Sequence, residues 1–304
     1  MHLLKNLNSE SVYVHIPVMV REVIYYLGCD SGKIYVDGTI GGGGHSLEIL
    51  KNTVPDGQVI GIDWDPEAVE LATNRLRDFK DRIHIFKDNF INLDTILREL
   101  HIQAVDGILL DLGLSSYQLE SGRGFSFMRD EPLDMRMSQA GITANDLINT
   151  LPSKELEIIL RQYGEERWSH RIAKHIEKER SLKPITTTKE LSDIVKRARS
   201  FKHHPKRIHP ATKTFQAIRI AVNNELLNLE TFIGKGITLL KKGGRICIIS
   251  YHSLEDRIVK RAYRIGKDHE RLRIISSKPI TPSSQEIDLN PRARSAKLRV
   301  AEKL

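Results

Sequence analysis

Val36-Asp-Gly-Thr-Ile-Gly-Gly-Gly-Gly-His45 closes a short β-branched run, Ile34-Tyr-Val-Asp37, and leads into a helical pattern from Ser46. A strand, four consecutive glycines and a helix form the first turn of a doubly wound sheet. The glycines let backbone approach a ligand closely and take positive φ without strain. The helix that follows aims its N-terminus at that ligand. Working outward, Gln58-Val-Ile-Gly-Ile-Asp63, Ile83-His-Ile-Phe86 and Asp106-Gly-Ile-Leu-Leu-Asp111 repeat the strand signal. Helical patterns over Pro66–Phe79 and Leu93–Leu100 separate them, the first opened by an Asp65 cap and a proline at the first helical position. This alternation predicts a parallel α/β sheet.

The alternation stops at Ser115. Residues Ser115 to Met137 read as a long functional loop. Helical patterns then run over Asn145–Asn149, Ser153–Tyr163, Glu166–Glu179 and Thr188–Arg199, with Ser153 and Thr188 expected as caps. Residues 138–208 are therefore expected to form an all-helical domain. It would be inserted into an α/β domain made of residues 1–137 and 209–304. Thr214–Leu240 predicts one long helix or a helix pair, and Gly243–Ser250 a fifth strand. Arg273–Ser277 and Ala296–Ala301 are candidate final strands.

The 304 residues include 40% hydrophobic side chains, enough for a sizeable core and against wholesale disorder. The net charge of +8 favours a polyanionic partner, nucleic acid or an anionic membrane surface. Two cysteines, Cys29 and Cys247, cannot build a disulfide framework or a four-thiolate zinc site, and no metal is expected. Both lie in apolar stretches and read as buried thiols of a reducing compartment. The segment Met1–Glu10 has no signal-peptide character, and no window approaches the roughly 18 apolar residues of a membrane span. The expected location is the cytoplasm.

The glycine phasing chooses between nucleotides. A dinucleotide fingerprint wants G-x-G-x-x-G, and counted from Gly41 its last position falls on Ser46. That disfavours a Rossmann-type oxidoreductase. Asp37, just before the glycines, suits the cationic sulfonium and amino groups of S-adenosylmethionine better than a pyrophosphate. Asp63 ends the second strand about 20 residues on, where a carboxylate accepts from both ribose hydroxyls. Asp88, with Phe90 near it, suits an adenine pocket, although Phe90 taken alone reads as an ordinary core residue.

Asp111-Leu-Gly-Leu-Ser-Ser-Tyr-Gln-Leu119, Arg123-Gly-Phe-Ser-Phe-Met-Arg129 and Pro132-Leu-Asp-Met-Arg-Met137 closely resemble the bacterial 16S ribosomal RNA cytosine N(4)-methyltransferases, the RsmH or MraW family. His209-Pro-Ala-Thr-Lys-Thr-Phe-Gln-Ala217, Ser250-Tyr-His-Ser-Leu-Glu-Asp-Arg257 and Asn290-Pro-Arg-Ala-Arg-Ser-Ala-Lys-Leu-Arg299 continue the likeness. The resemblance implies a class I (Rossmann-like) methyltransferase fold with an inserted helical domain. It implies S-adenosylmethionine as cofactor and 16S ribosomal RNA of the small subunit, or of its assembly intermediate, as partner. The methylated group would be the N(4) amine of one decoding-region cytidine. Cofactor contacts are implied at Gly43, Gly44, His45, Asp63, Phe90, Asp111 and Gln118, to which the residues themselves add Asp37, Gly41, Gly42 and Asp88. Leu112 and Gly113 stand where DNA amino-methyltransferases carry prolines, so the role of Asp111 has to be argued afresh.

Two stretches look RNA-facing. Lys196 to Arg219 holds eight Lys/Arg and no acid, with His203, His204 and His209 among them, and reads as a phosphate-contacting surface. Lys202, Lys206, Arg207 and Lys213 are its principal candidates. Arg292 and Arg294 extend the charge near the C-terminus. Phe125 and Phe127 are either half-buried strand residues or a platform for an unstacked base, two readings of equal weight. Asp111 ends the fourth strand and is the candidate catalytic acceptor, or alternatively a ligand for the cofactor's amino group. His252 follows the fifth strand as the candidate proton acceptor, with Ser253 and Asp256 as supports. A noncatalytic RNA-binding module on the same fold is the remaining alternative, weakened by the presence of every expected cofactor residue.

Overall fold

The computed structural model describes residues 17–199 and 209–304. Seven strands form one sheet: β1 (Ile34–Asp37), β2 (Gln58–Asp63), β3 (Ile83–Lys87), β4 (Val105–Asp111), β5 (Leu240–Ser250), β6 (Leu272–Ile274) and β7 (Lys297–Lys303). Their order is β3-β2-β1-β4-β5-β7-β6. β1 to β5 are parallel, and β7 runs antiparallel to both neighbours. From β1 the chain builds outward to β3, then returns to the other side of β1 as β4. The crevice at the carboxyl ends of β1 and β4 is thus the topological switch point, where open α/β sheets bind ligands.

Before the break in the alternation lie α1 (Val20–Leu27), α2 (Gly44–Asn52), α3 (Pro66–Arg75) and α4 (Leu93–Glu99). A short α5 (Ser116–Glu120) follows β4, and then come α6 (Ala144–Thr150), α7 (Ser153–Gly164), α8 (Ser169–Arg180) and α9 (Thr188–Ala198). After these come α10 (Thr212–Asn223), α11 (Glu225–Leu239), α12 (Ser253–Asp268) and α13 (Ser284–Leu289). Alternation along the buried strands sorts side chains onto two faces. Ile108, Leu110, Ile246 and Ile248 meet the buried faces of α4, α11 and α12. Leu109, Cys247 and Ile249 meet α1 and α2 on the other side. Cys247 is fully buried and its thiol is pushed well above its ordinary pKa by that burial.

Helices α6 to α10 gather around an apolar cluster of their own, including Leu147, Leu160, Ile172, Leu191 and Phe215. α10, expected on the far side of the 208/209 boundary, buries Phe215 and Ile218 in this same cluster. The expected long element is a helix pair, broken at Asn224, whose φ of 51° ends α10. Two caps sit one residue earlier than expected: Thr187 forms a capping box with Glu190, and Pro152 precedes α7. The loop from Ser115 is not wholly irregular either. Ser115 and Gln118 form a capping box that starts α5. No helix among the described residues is long and apolar enough to cross a membrane.

Candidate active site

Every strand from β1 to β5 delivers a side chain to the carboxyl edge of the sheet. There a cleft of about 1100 Å³, open mouth included, is lined by the glycine turn, Asp63, Asp88, Phe90, Asp111 and Tyr251. Gly41, Gly42, Gly44, His45 and Gln118 also line it. A Cβ on Gly42 would meet nothing within 4 Å, so the backbone there faces open space.

Asp63 receives the Gly41 N–H at Oδ2 and the Asp65 N–H at Oδ1, each at 3.0 Å. Each oxygen keeps a lone pair for another donor. Burial raises its pKa to about 6, against the pull of those two N–H groups. Asp88 spends only Oδ1 on protein, taking the Asn89 N–H and the Asn92 amide. Phe90 stands edge-on to Phe232, with ring centroids 5.1 Å apart, and still lines the cleft. It packs against the core and walls the cleft at once.

Two expected cofactor residues do not line the cleft. Asp37 is 1% exposed and accepts from the Ser46 hydroxyl at 2.7 Å, so it fastens α2 to β1. Burial pushes its pKa up. Gly43, at φ 76°, starts α2 and packs against Leu76, a position taken by glycine because a Cβ would stand 3.0 Å from that side chain. Gln118 does line the cleft, but its amide is spent on protein. Its Oε1 accepts from Ser115 and its Nε2 donates to the buried Asp65. Arg123 joins Asp65 at 2.5 Å, so Asp65 clamps the loop after β4 to the end of β2.

Asp111 is held from both sides. The Tyr251 hydroxyl donates to Oδ1 at 2.7 Å, His45 Nε2 lies 3.4 Å from Oδ2, and the Asp111 N–H donates to the Thr39 hydroxyl. Burial disfavours a charged His45, yet Asp111 and Asp37 outweigh it and hold the imidazole above its usual range. Burial, and then Asp111, keep the Tyr251 phenol protonated far above pH 10. Gly113, at φ 104°, leaves room for the Tyr251 ring, which a Cβ would approach to 3.1 Å. Tyr251 was not expected in the site; the signal for it was its place directly after the fifth strand, parallel to Asp111 after the fourth. Trp64 and Glu255 also line the cleft unanticipated.

His252 is a helix cap rather than a free base. Its Nδ1 accepts from the Glu255 N–H, and its Nε2 lies 3.2 Å from Glu255 Oε1. Burial, reinforced by Arg219, lowers its pKa to about 3. Ser253 is exposed and donates to Glu165 on the helical layer. Asp256 is bound by Arg299 and Lys297. Ser253 and Asp256 are thus held by protein partners, while His252 also lines a second cleft. Burial raises Glu255 to about 7, against the neighbouring Arg219. Glu225, His252 and Glu255 have metal-ligand spacing among the described residues, but the Arg219 guanidinium takes both oxygens of Glu225.

A second cleft adjoins the first and shares Gly113, Leu114 and Tyr251 with it. Phe125, Phe127, Arg219 and Arg292 are among its walls. Phe125 is 6% exposed and belongs to the helical-layer core. Phe127 stacks on His209 with centroids 4.4 Å apart and meets Phe215 edge-on. One face of Phe127 is therefore already covered. The basic stretch is less free than its composition implies. Lys196 pairs with Asp193, Arg197 with Glu179, Arg199 with Glu166 and Arg219 with Glu225, while Lys213 donates to the Glu165 carbonyl. Lys202, Lys206 and Arg207, with His203 and His204, lie outside the described residues. Arg292 approaches Glu120 at 3.9 Å, and Arg294 is exposed beside it in sequence.

A seven-stranded sheet of this order, with a glycine turn and the Asp63 carboxylate at its switch point, defines a class I S-adenosylmethionine-dependent methyltransferase. A model of the MraW methylase family matches residues 12–304, and the chain belongs to that family. It is 48% identical to ribosomal RNA small subunit methyltransferase H of Geotalea uraniireducens, over 97% of this chain and all of that one. The corresponding protein of Persephonella marina is 50% identical over 95% of this chain and 99% of its own. Among solved structures, an rRNA methylase from Streptococcus thermophilus aligns over 94% of this chain and 93% of its own, at 15% identity and a TM-score of 0.43.

Proposed function

We propose that this protein transfers the methyl group of S-adenosylmethionine to the exocyclic N(4) amine of a cytidine in small-subunit ribosomal RNA. The names of its relatives support the substrate. The observation that carries the chemistry is Asp111, a wall of the first cleft held by Tyr251, which lines both clefts. When bound, the cofactor supplies an electrophilic methyl on its sulfonium. On this reading Asp63 takes the ribose hydroxyls and Asp88 the adenine amine, while Gly41 and Gly42 leave room for the cofactor beside the backbone. The cytosine amine is a poor nucleophile because its lone pair is delocalised into the ring. Asp111 accepts a hydrogen bond from it, turns the lone pair toward the methyl and stabilises charge developing on nitrogen. The base enters through the second cleft, unstacked, as chemistry on a base requires. Helices α6 to α9, with Arg292 and Arg294, offer the surface for neighbouring RNA, and the substrate is RNA of a small subunit or its assembly particle, in the cytoplasm.

The test is incubation with labelled S-adenosylmethionine and small-subunit particles, followed by digestion to nucleosides. N(4)-methylcytidine at one position is the expected product. Label on another base or on no RNA would overturn the assignment.

A further inference from the structure

The second cleft contains a cation whose geometry the methyl-transfer chemistry does not use. Thr212, Phe215, Gln216 and Arg219 recur at helical spacing and line the cleft from one face of α10. Arg219 is the only charged residue of the four. Its Nε and Nη2 donate to the two carboxylate oxygens of Glu225, both at 2.7 Å. The guanidinium is 14% exposed and Glu225 12%, so this fork is largely shielded and its rotamer is locked. The remaining nitrogen, Nη1, has no acceptor among the described residues. Tyr251, whose hydroxyl reaches Asp111, lines the same cleft. A fixed guanidinium therefore lines the same cleft as the tyrosine that holds Asp111.

We propose that Arg219 determines base specificity by donating to the N3 and O2 acceptor edge of the target pyrimidine. This rests on the cytosine reading above. In cytosine, N3 and O2 are adjacent acceptors flanking one side of the ring, and the amine lies next to N3. Uracil carries a proton on N3 and meets the guanidinium donor to donor. A site that satisfies a buried donor with a substrate acceptor rejects the analogue that lacks it, because the donor is then left unpaired. Arginine suits the task because, with Nε and one Nη2 N–H on Glu225, the Nη1 N–H and second Nη2 N–H remain as paired donors, whereas lysine offers a mobile point charge. Glu225 acts through Arg219 as a positioning residue. It neutralises the guanidinium and prevents it from turning toward a phosphate.

The test combines a protein change with a change of one atom in the RNA. Single-turnover methylation is measured for wild type and Arg219→Lys on small-subunit particles carrying either cytidine or 3-deazacytidine at the methylated position. On cytidine RNA the variant is expected to be about tenfold slower or worse, with S-adenosylmethionine affinity unchanged. On 3-deazacytidine RNA, where N3 no longer accepts, the wild-type-to-variant ratio should fall toward one. The ratio cancels any change in intrinsic reactivity of the altered base. An equal ratio on both RNAs, or a variant as fast as wild type, overturns the proposal. If Arg219→Lys does not fold, Glu225→Gln is carried through the same four measurements, with the same two readings. Failure of wild type to methylate cytidine RNA would instead sink the functional assignment itself.

Discussion

The hydroxyl of Tyr251 donates to Asp111 Oδ1 across 2.7 Å, and the two residues leave the carboxyl ends of neighbouring parallel strands. The bond holds the carboxylate in the first cleft through a residue that also walls the second. Hydrogen bonds to a charged group contribute roughly 1.5–3 kcal/mol. Tyr251→Phe removes the donor and keeps the ring against Gly113. Single-turnover methylation should fall roughly 10- to 100-fold, as that range implies, while cofactor affinity stays at the wild-type value. Rapid-quench kinetics with calorimetry on the same sample checks both. A weaker cofactor with an unchanged saturated rate would make the bond part of the binding site.

Asp63 provides a pH signature. Burial holds its pKa near 6, and only the carboxylate accepts from two ribose hydroxyls. Cofactor affinity should therefore be full above pH 7 and decline as pH falls through 6. Asp63→Ala should lose about tenfold or more at pH 7.5, as charged hydrogen bonds of this strength imply. Asp63→Asn should bind weakly with a flat profile between pH 7.5 and 5. Calorimetry across that range decides it, and an equally sloped Asn variant would point to another titrating group.

The parts of this molecule that were legible in the sequence are those decided by neighbours along the chain. β-branched runs such as Gln58–Asp63 form strands because both faces of the central sheet are covered. The glycine turn marks the switch point because only there must backbone come near a ligand. What escaped depends on distant partners. Charge counting over Lys196–Arg219 could not see Glu165, Glu166, Glu179 and Glu225 folding back onto it. Asp37 resembled a cofactor carboxylate until Ser46 was seen to occupy it. His252 stands where a base would, but its ring belongs to the first turn of α12.

Glu255 should make the protein less stable as pH rises. Its folded pKa, about 7, exceeds the ordinary 4.5, so the native state binds this proton more tightly than the unfolded chain. That contribution is complete below pH 4.5 and is lost as pH climbs to 7. Glu255→Gln does not titrate. Its melting temperature relative to wild type should rise between pH 5 and 8, and differential scanning calorimetry can follow it. A difference independent of pH would mean that Glu255 ionises normally in the fold.

His252→Asn should leave chemistry almost untouched. Asparagine is a good cap and can accept the Glu255 N–H in place of Nδ1. A neutral ring with a pKa near 3 takes no proton at pH 7, so the pH–rate profile should keep its shape. His252→Ala should lose about 1 kcal/mol of stability for want of the cap, read from a denaturant melt. A hundredfold drop in the single-turnover rate of a folded Asn variant would restore His252 as the base.

Asp111 carries the sharpest prediction because its two roles diverge under substitution. Both its oxygens already have protein neighbours, Tyr251 at Oδ1 and His45 at Oδ2. Each carboxylate oxygen has a second lone pair, so the side chain can accept from the substrate amine without losing its supports. Asp111→Ala removes acceptor and charge together. Removing a preorganised group of this kind costs roughly 10²–10³ in rate, and that is the loss expected in single-turnover methylation at saturating cofactor. Asp111→Asn keeps one oxygen, which Tyr251 can still hold, and loses the charge that balances developing positive nitrogen. Its rate should lie between wild type and Ala. It should also fail to hold His45 above its usual range, since Asp111 is the chief charge beside that ring; the imidazole's titration by NMR should move down. Cofactor affinity of both variants should stay near wild type. If Ala abolishes cofactor binding, or saturating cofactor restores its full rate, Asp111 serves the cofactor's amino group and the acceptor for the cytosine amine must be sought among the other walls of the two clefts.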